Sequence, residues 1–290
     1  MNPENTLDAA QRLLNRQYRI ILRNRGPALA GETPKPLHDI RVAMRRFRVV
    51  IRGLRKRLPA SEARQLERSM RRVFGQLGPI RDMQEWMVFL SGSRVAAACS
   101  KDKLWAGFFA GEQKENARRL RRLRRILNSA DCKSMLRRME RFLAVELPGH
   151  VRGSKSEPFD EFAAGKIRRM YRRILEQEVP DNSDADGMHR LRCRCRKARY
   201  WAAFAAPALG PATAGLEKKL SAVARSLGDL HDMDVQLERA SRRNHDWPKP
   251  LRKIVARNRR KALANFKKAW TSLHDRRFGG CLFRGLEARL

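Results

Sequence analysis

The residues best suited to chemistry in this sequence are histidines and arginines at fixed helical spacing. The segment LHDIRVAMRRFRVV, residues 37–50, contains one histidine and four arginines, and three of these arginines share a side of a helix with the histidine. The four residues, which we call the first stripe, are His38, Arg41, Arg45 and Arg48. Because a helix turns by about 100° per residue, their side chains fall within an arc of about 80°. Guanidinium groups match phosphate oxygens two at a time, so the stripe predicts phosphate recognition.

The same residue types recur at the same spacing in a second segment. MHRLRCRCRKARYW, residues 188–201, aligns without gaps on residues 37–50 at an offset of 151, which is 189 − 38. Its members, the second stripe, are His189, Arg192, Arg196 and Arg199. One basic stripe alone is typical of a solvent-facing helix side, but such a side accepts Lys, Glu, Gln or Ser equally well. The repetition therefore favours a binding function.

A further pair of matching segments follows the stripes: LGPIRDM at 77–83 and LGDLHDM at 227–233, at an offset of 150, which is 227 − 77. We expect their acids to cap a helix or to orient arginines, and not to act in catalysis. The glycines are expected to permit a bend or a close helix approach. The residue before each acid supplies a cation in one half and a protonatable donor in the other. The set consists of Gly78, Arg81 and Asp82, then Gly228, His231 and Asp232.

Six more arginines are candidates for phosphate binding, four on the helices that precede the stripes and two on the fourth helix of the first half. They either line an anion-binding groove or face water. They are Arg16 and Arg19, Arg118 and Arg122, and Arg169 and Arg172.

The elements that must position these residues are helices. Apolar residues recur at helical spacing throughout, and no alternating strand pattern bounded by turns is present, so we predict an all-α fold. Breaker-rich segments divide the chain into about eight helices. The repeat then gives two pseudo-symmetric four-helix bundles, in residues 1–150 and 151–290. Opposite the stripes we expect core faces: Ile40, Ala43, Phe47, Val50, Ile51 and Leu54, then Leu191, Ala198, Trp201, Ala202 and Ala205.

The charge of the chain points to a polyanionic partner. Its 65 Lys and Arg residues against 30 Asp and Glu give a formal net charge of +35. In a compact state these like-charged side chains repel one another. The five cysteines do not resemble a disulfide framework or a metal-binding pattern. The N-terminal residues lack the features of a secretory signal, and no apolar run reaches the length of a membrane span. We therefore expect a soluble cytoplasmic protein.

At these residues the sequence resembles the conserved histidine α-helical domain family, known as CHAD, over nearly its whole length. The motifs that carry the resemblance are the two His/Arg stripes and the two Leu-Gly-x-x-x-Asp segments. The resemblance implies a basic groove or channel between the two bundles, binding of inorganic polyphosphate, and association with polyphosphate granules. We expect the polymer to be bound without cleavage, and we expect neither a cofactor nor a metal. The Glu-x-Glu-x-Lys strand of family members that are fused to a triphosphate tunnel enzyme is absent, so we expect a stand-alone domain.

One alternative is a metal-dependent phosphohydrolase of the HD type. The segment HDMD, residues 231–234, places histidine and aspartate side by side, as such enzymes do, and His189 could be a further ligand. The equivalent position in the first half is Arg81, and stripes of arginine are unfavourable neighbours for a divalent cation.

The other alternative is non-specific binding of nucleic acid at low salt, because charge alone attracts any polyanion. No zinc finger or RNA-recognition motif is present, and aromatic residues amount to only 7% of the chain, which limits base stacking.

Overall fold

The computed structural model describes residues 4–152, 157–181, 184–242 and 247–290. Within these ranges the regular structure is twelve α-helices and one π-helical turn, and the only extended pairing is an isolated bridge between Asn5 and Pro158. The all-α prediction is confirmed. Eight of the helices are long, four in each half of the chain, and they correspond to the predicted bundles. The sequence did not indicate the shorter helices α4, α6, α7 and α12, whose bounds follow.

The first compact unit, Leu7–Ser156, we call the N-terminal unit. Its helices are α1 (Thr6–Ala30), α2 (Lys35–Gly53), α3 (Ala60–Leu90), α4 (Ser93–Cys99), α5 (Trp105–Asn128), α6 (Ala130–Arg141) and α7 (Leu147–Arg152), with the π-helical turn Phe142–Glu146 before α7. Prolines 34 and 36 start α2, where a missing N–H costs nothing. Helix α3 packs against α2, α5 and α6, so it is the central helix of this unit.

The second compact unit, the C-terminal unit, combines Glu157–Leu290 with Met1–Thr6. Its helices are α8 (Phe159–Leu175), α9 (Ala185–Leu209), α10 (Pro211–Arg242), α11 (Lys249–Leu273) and α12 (Arg276–Glu287). Backbone hydrogen bonds join its two chain segments, since Thr6 N donates to Glu157 O at 2.8 Å and Phe159 N donates to Glu4 O at 2.8 Å. Helix α10 packs against α9, α11 and α12. The domain bounds 1–150 and 151–290, which come from the repeat, stay a prediction.

The apolar faces opposite both stripes form the core of their units. Every residue predicted for them, from Ile40 to Leu54 and from Leu191 to Ala205, is buried. Burial of these faces fixes the rotation of α2 and α9 about their axes, because about 25 cal/mol is gained per Å² of apolar surface removed from water. The rotation in turn sets the direction in which each stripe points.

Some arginines have structural roles at helix ends, where the last carbonyls lack partners within the helix. Arg124 of α5 donates to Leu29 O at 3.0 Å and to Ala30 O at 3.1 Å, at the end of α1. In return, Arg25 of α1 donates to Leu127 O at 3.1 Å, at the end of α5. Some of the arginines that give the chain its positive charge therefore stabilise helix ends.

None of the helices in the described ranges combines the length and the apolar character that a membrane span requires.

In the C-terminal unit a buried tyrosine, and not an arginine, donates a hydrogen bond to a carbonyl oxygen at a helix end. The hydroxyl of Tyr171 on α8 donates to Leu273 O at 2.8 Å, at the end of α11, and burial raises the pKa of Tyr171 to about 12.

The variant Tyr171→Phe leaves that carbonyl without its donor. We expect the free energy of unfolding, measured by urea denaturation, to fall by about 1–3 kcal/mol. The control is Tyr18→Phe on the half-buried tyrosine of α1, with an expected change within about 0.5 kcal/mol. Equal losses in the two variants would contradict the assigned role.

Candidate functional site

The three arginines of the first stripe gather around one aromatic ring. The Cζ atoms of Arg41, Arg45 and Arg48 lie 4.5, 5.6 and 5.4 Å from the ring centroid of Phe74 on α3. The face of an aromatic ring attracts cations, most strongly where water is excluded. Phe74 therefore holds three like charges on one partly buried surface. We call the three stripe arginines, together with His38 and Arg81, the N-terminal cluster.

Arg41 is the most deeply held member of this cluster. Its NH1 donates to Phe74 O at 3.1 Å, and its NH1 would lie 3.6 Å from a Cβ placed on Gly78. A side chain larger than alanine at Gly78 would therefore occupy the place of the guanidinium. The close approach expected at this glycine is between a helix and an arginine side chain.

The positive charge of the cluster is incompletely compensated. Burial, followed by the charge of Arg45, lowers the pKa of Arg41 to about 10, while Asp82 and Glu85 act in the opposite direction. Burial also lowers the pKa of Arg48, and among the described residues its Nε has no hydrogen-bond partner. Both guanidiniums stay protonated at neutral pH at a cost in desolvation and repulsion. An anion bound at this surface would reduce that cost.

Glu85 is an acid of this cluster that the sequence did not single out. Its Oε1 lies 2.6 Å from NH2 of Arg81, one turn earlier on α3, and 4.0 Å from Nδ1 of His38. Arg81 also donates to Pro34 O, at the start of α2, at 3.4 Å. Burial and the charge of Arg81 lower the pKa of His38, against the opposite effect of Glu85. Arg81 thus lies beside the first stripe with part of its charge balanced.

The second stripe forms a comparable cluster in the C-terminal unit. The nitrogens NH2 and Nε of Arg192 lie 3.5 and 3.9 Å from a Cβ placed on Gly228, which repeats the relation of Arg41 to Gly78. The rings of His189 on α9 and His231 on α10 are 5.5 Å apart, centroid to centroid. We call His189, Arg192, Arg196, Arg199 and His231 the C-terminal cluster.

The two clusters differ in what surrounds the arginines. At an offset of 150 from Phe74, which is 224 − 74, stands Ala224, so the C-terminal cluster has no equivalent ring. Arg196 instead places NH2 3.4 Å from Sγ of Cys193. Arg199 donates to Ser221 Oγ at 3.4 Å and lies over the ring of Tyr200 with its Cζ at 4.8 Å.

The histidines of the C-terminal cluster are held neutral by their surroundings. Burial first, and then Arg192 and His189, lower the pKa of His231 to about 4. Burial, Arg192 and Arg196 lower the pKa of His189. At neutral pH each ring is therefore uncharged, and a nearby anion would favour its protonation.

The two aspartates of the Leu-Gly segments lie beside the clusters. Asp82 is at an exposed position of α3, and its charge favours the protonated form of Arg41. The orienting role of Asp82 stays a prediction. Asp232 is half-buried on α10, next to His231. Its role stays a prediction. Two residues further on, Asp234 accepts a hydrogen bond from Arg259 Nε at 2.6 Å.

The structure does not link the six additional arginines to the stripes of their own units. Arg118 lies 3.7 Å from Glu115 on its own helix. Among the described residues, no hydrogen bond or ion pair joins any of the six to the stripe of its own unit. All are exposed, and they are Arg16, Arg19, Arg118, Arg122, Arg169 and Arg172. Their part in binding stays a prediction.

The described residues contain no group of three or more His, Cys, Asp and Glu side chains placed to hold a metal ion together.

Fold and clusters together define a class: an all-α repeat protein in which each repeat packs a His/Arg stripe against a glycine of the next helix. Comparison with known proteins makes the class specific. The model of the CHAD domain family matches residues 12–241, more than half of the chain, so the protein belongs to the CHAD domain family.

Two solved structures share the fold. The CHAD domain from the plant Ricinus communis is 20% identical, with a TM-score of 0.68 over 99% of this chain and 93% of that one. PptA from Streptomyces chartreusis is 14% identical, with a TM-score of 0.61 over 92% of this chain and 100% of that one. No curated protein matches the sequence.

The histidine environment generates a pH prediction. A free histidine has a pKa of about 6.5. As pH falls from about 6.5 towards 4, His231 therefore becomes protonated in the unfolded chain but stays neutral in the folded protein. We therefore expect these histidines to make the fold less stable as pH falls through that window. NMR titration should show His231 neutral down to pH of about 5, and the variant His231→Asn should lose less stability on acidification. A midpoint for His231 at or above 6.5 would rule out the described environment.

Proposed function

We propose that this protein binds inorganic polyphosphate, without cleaving it, through the N-terminal and C-terminal clusters. The observation that carries the proposal is the repeated arrangement of stripe arginines against a glycine of the following helix. Arg41 lies at Gly78 and Arg192 lies at Gly228. Two clusters with the same stripe of guanidiniums suit a ligand that repeats the same anionic group along its length.

The charge of each cluster supports an anion as the ligand. Guanidiniums held together on one side of a helix repel one another, and partial burial raises the cost of their charge. The Nε of Arg48 is buried without a hydrogen-bond partner among the described residues, which adds to the cost of this charge. Phosphate oxygens accept paired N–H groups from guanidinium and neutralise the charge at the same time.

The histidines add donors whose charge can respond to the ligand. His38, His189 and His231 have lowered pKa values, so at neutral pH they are neutral before an anion arrives. A neutral imidazole still donates one N–H, and a phosphate nearby favours uptake of a second proton. The proposal assigns no side chain to hydrolysis and requires no metal or cofactor.

The proposed place of action is the cytoplasm, on polyphosphate granules. This part rests on the resemblance to the CHAD family, whose members are associated with such granules. A protein that binds the polymer without degrading it would accumulate wherever the polymer is stored.

The ligand is tested by competition at about 150 mM salt, with long-chain polyphosphate displaced by duplex DNA, RNA or ATP. We expect polyphosphate to bind more tightly per charge than each competitor. If about 10 phosphates are neutralised, affinity should fall about 10⁴-fold between 50 and 200 mM salt. Equal affinity per charge would support general polyanion binding instead, and release of orthophosphate would contradict the non-catalytic proposal.

The site is tested by substitutions matched for charge. Arg45→Gln with Arg48→Gln alters the N-terminal cluster, and Arg94→Gln with Arg121→Gln is its control, on exposed positions of α4 and α5. Removal of two bidentate contacts should weaken polyphosphate binding by about 10- to 100-fold, against less than about threefold for the control.

The pair of substitutions in the C-terminal cluster is Arg192→Gln with Arg196→Gln. Its control is Arg276→Gln with Arg277→Gln, at exposed positions of α12. Circular dichroism and thermal melting check that all four variants fold. Equal losses in the cluster variants and their controls would mean that net charge, and not the clusters, determines binding.

A further inference from the structure

A nucleophile to which the proposed phosphate binding assigns no role lies beside the C-terminal cluster. Cys193 lies on α9, one turn after His189, and is half-buried. Its Sγ is 3.5 Å from Nε2 of His189 and 3.4 Å from NH2 of Arg196. The ring of His231 lies behind His189 at 5.5 Å. A thiol, a base and a fixed cation therefore meet at one point.

The other cysteines provide a comparison within the same chain. Cys99, Cys132 and Cys195 are buried, and burial raises the pKa of each thiol, that of Cys195 to about 12. Buried thiols in apolar surroundings are inert. Cys281, on α12, is more exposed than Cys193. If access alone controlled reactivity, Cys281 would be the first cysteine to react.

We propose that Cys193 is a modification site, a thiol activated by His189 and Arg196 that reacts with hydroperoxides in preference to Cys281. The thiolate is the reactive form of cysteine, and a nearby histidine or arginine favours it. NH2 of Arg196 donates towards the sulfur. His189, held neutral by burial and by Arg192, can accept the thiol proton on Nε2.

The reaction balances with the hydroperoxide as the only oxidant. The sulfur attacks one peroxide oxygen, an S–O bond forms and the O–O bond breaks. The thiol proton passes through His189 to the leaving oxygen, which departs as water or an alcohol. The sulfur is oxidised by two electrons, the peroxide is reduced by two, and Cys193 becomes a sulfenic acid.

One consequence rests on the proposed function. A phosphate held by Arg192 and Arg196 would cover Cys193 and slow its oxidation. Conversely, a second equivalent of hydroperoxide converts the sulfenic acid to a sulfinic acid with release of water. The sulfinate adds a negative charge beside Arg196 and should weaken polyphosphate binding.

The proposal is tested on the full chain without ligand. The protein is exposed to hydrogen peroxide at pH 7, sulfenic acid is trapped with dimedone, and labelling of each cysteine is followed by peptide mass spectrometry. We expect Cys193 to be labelled about tenfold faster than Cys281. Labelling of Cys281 at an equal or higher rate would overturn the proposal.

Two variants separate activation from exposure. Arg196→Gln and His189→Gln should each bring the rate at Cys193 down towards that of Cys281. The control is Arg194→Gln, because Arg194 adjoins Cys193 in sequence but is hydrogen-bonded to Gln177. An unchanged rate in both test variants, with folding verified by circular dichroism, would also overturn the proposal.

A final arm adds polyphosphate and measures its binding in the same samples. Bound polyphosphate should protect Cys193 and leave Cys281 unchanged. If polyphosphate binds without protecting Cys193, the ligand does not cover the thiol and the consequence is wrong. If polyphosphate does not bind, the proposed function fails, and the rate contrast without ligand still decides the status of Cys193.

Discussion

The repulsion among closely set guanidinium groups is the constraint on which the rest of each cluster depends. Helices α2 and α9 each carry three arginines on one side, and on α2 partial burial increases the cost of the charges of Arg41 and Arg48. In the N-terminal unit the Phe74 ring, the backbone oxygen of Phe74 and the carboxylate of Glu85 offset part of this cost. Under the proposed function, a bound anion would recover part of the remainder.

The glycine of each Leu-Gly segment links the packing of the helices to the position of the charged arginines. Gly78 and Gly228 lie on the long helices α3 and α10, and each leaves space for the first arginine of the facing stripe. The apolar faces on the opposite side of α2 and α9 set the rotation that brings those arginines to the glycines. Core packing and charge placement are thus two results of one helical pattern.

Much of this could be predicted from the sequence because it rests on periodicity. The stripes, the core faces and the glycines recur at offsets of 150 and 151, and a repeated pattern identifies residues that share a task. Phe74 could not be found in this way, since its counterpart is Ala224 and a single aromatic residue on a helix is typical of a core position. Glu85 and the thiol of Cys193 also lack a periodic signal, because their roles depend on contacts that only the packed side chains reveal.

The most direct test of the central claim is the response of the arginine Nε–H groups to inorganic polyphosphate, followed in ¹H–¹⁵N correlation spectra. The account predicts the largest chemical-shift changes at Arg45, Arg48, Arg192 and Arg196. Changes spread evenly over the arginines, with Arg94, Arg121, Arg276 and Arg277 responding as strongly as the clusters, would contradict it.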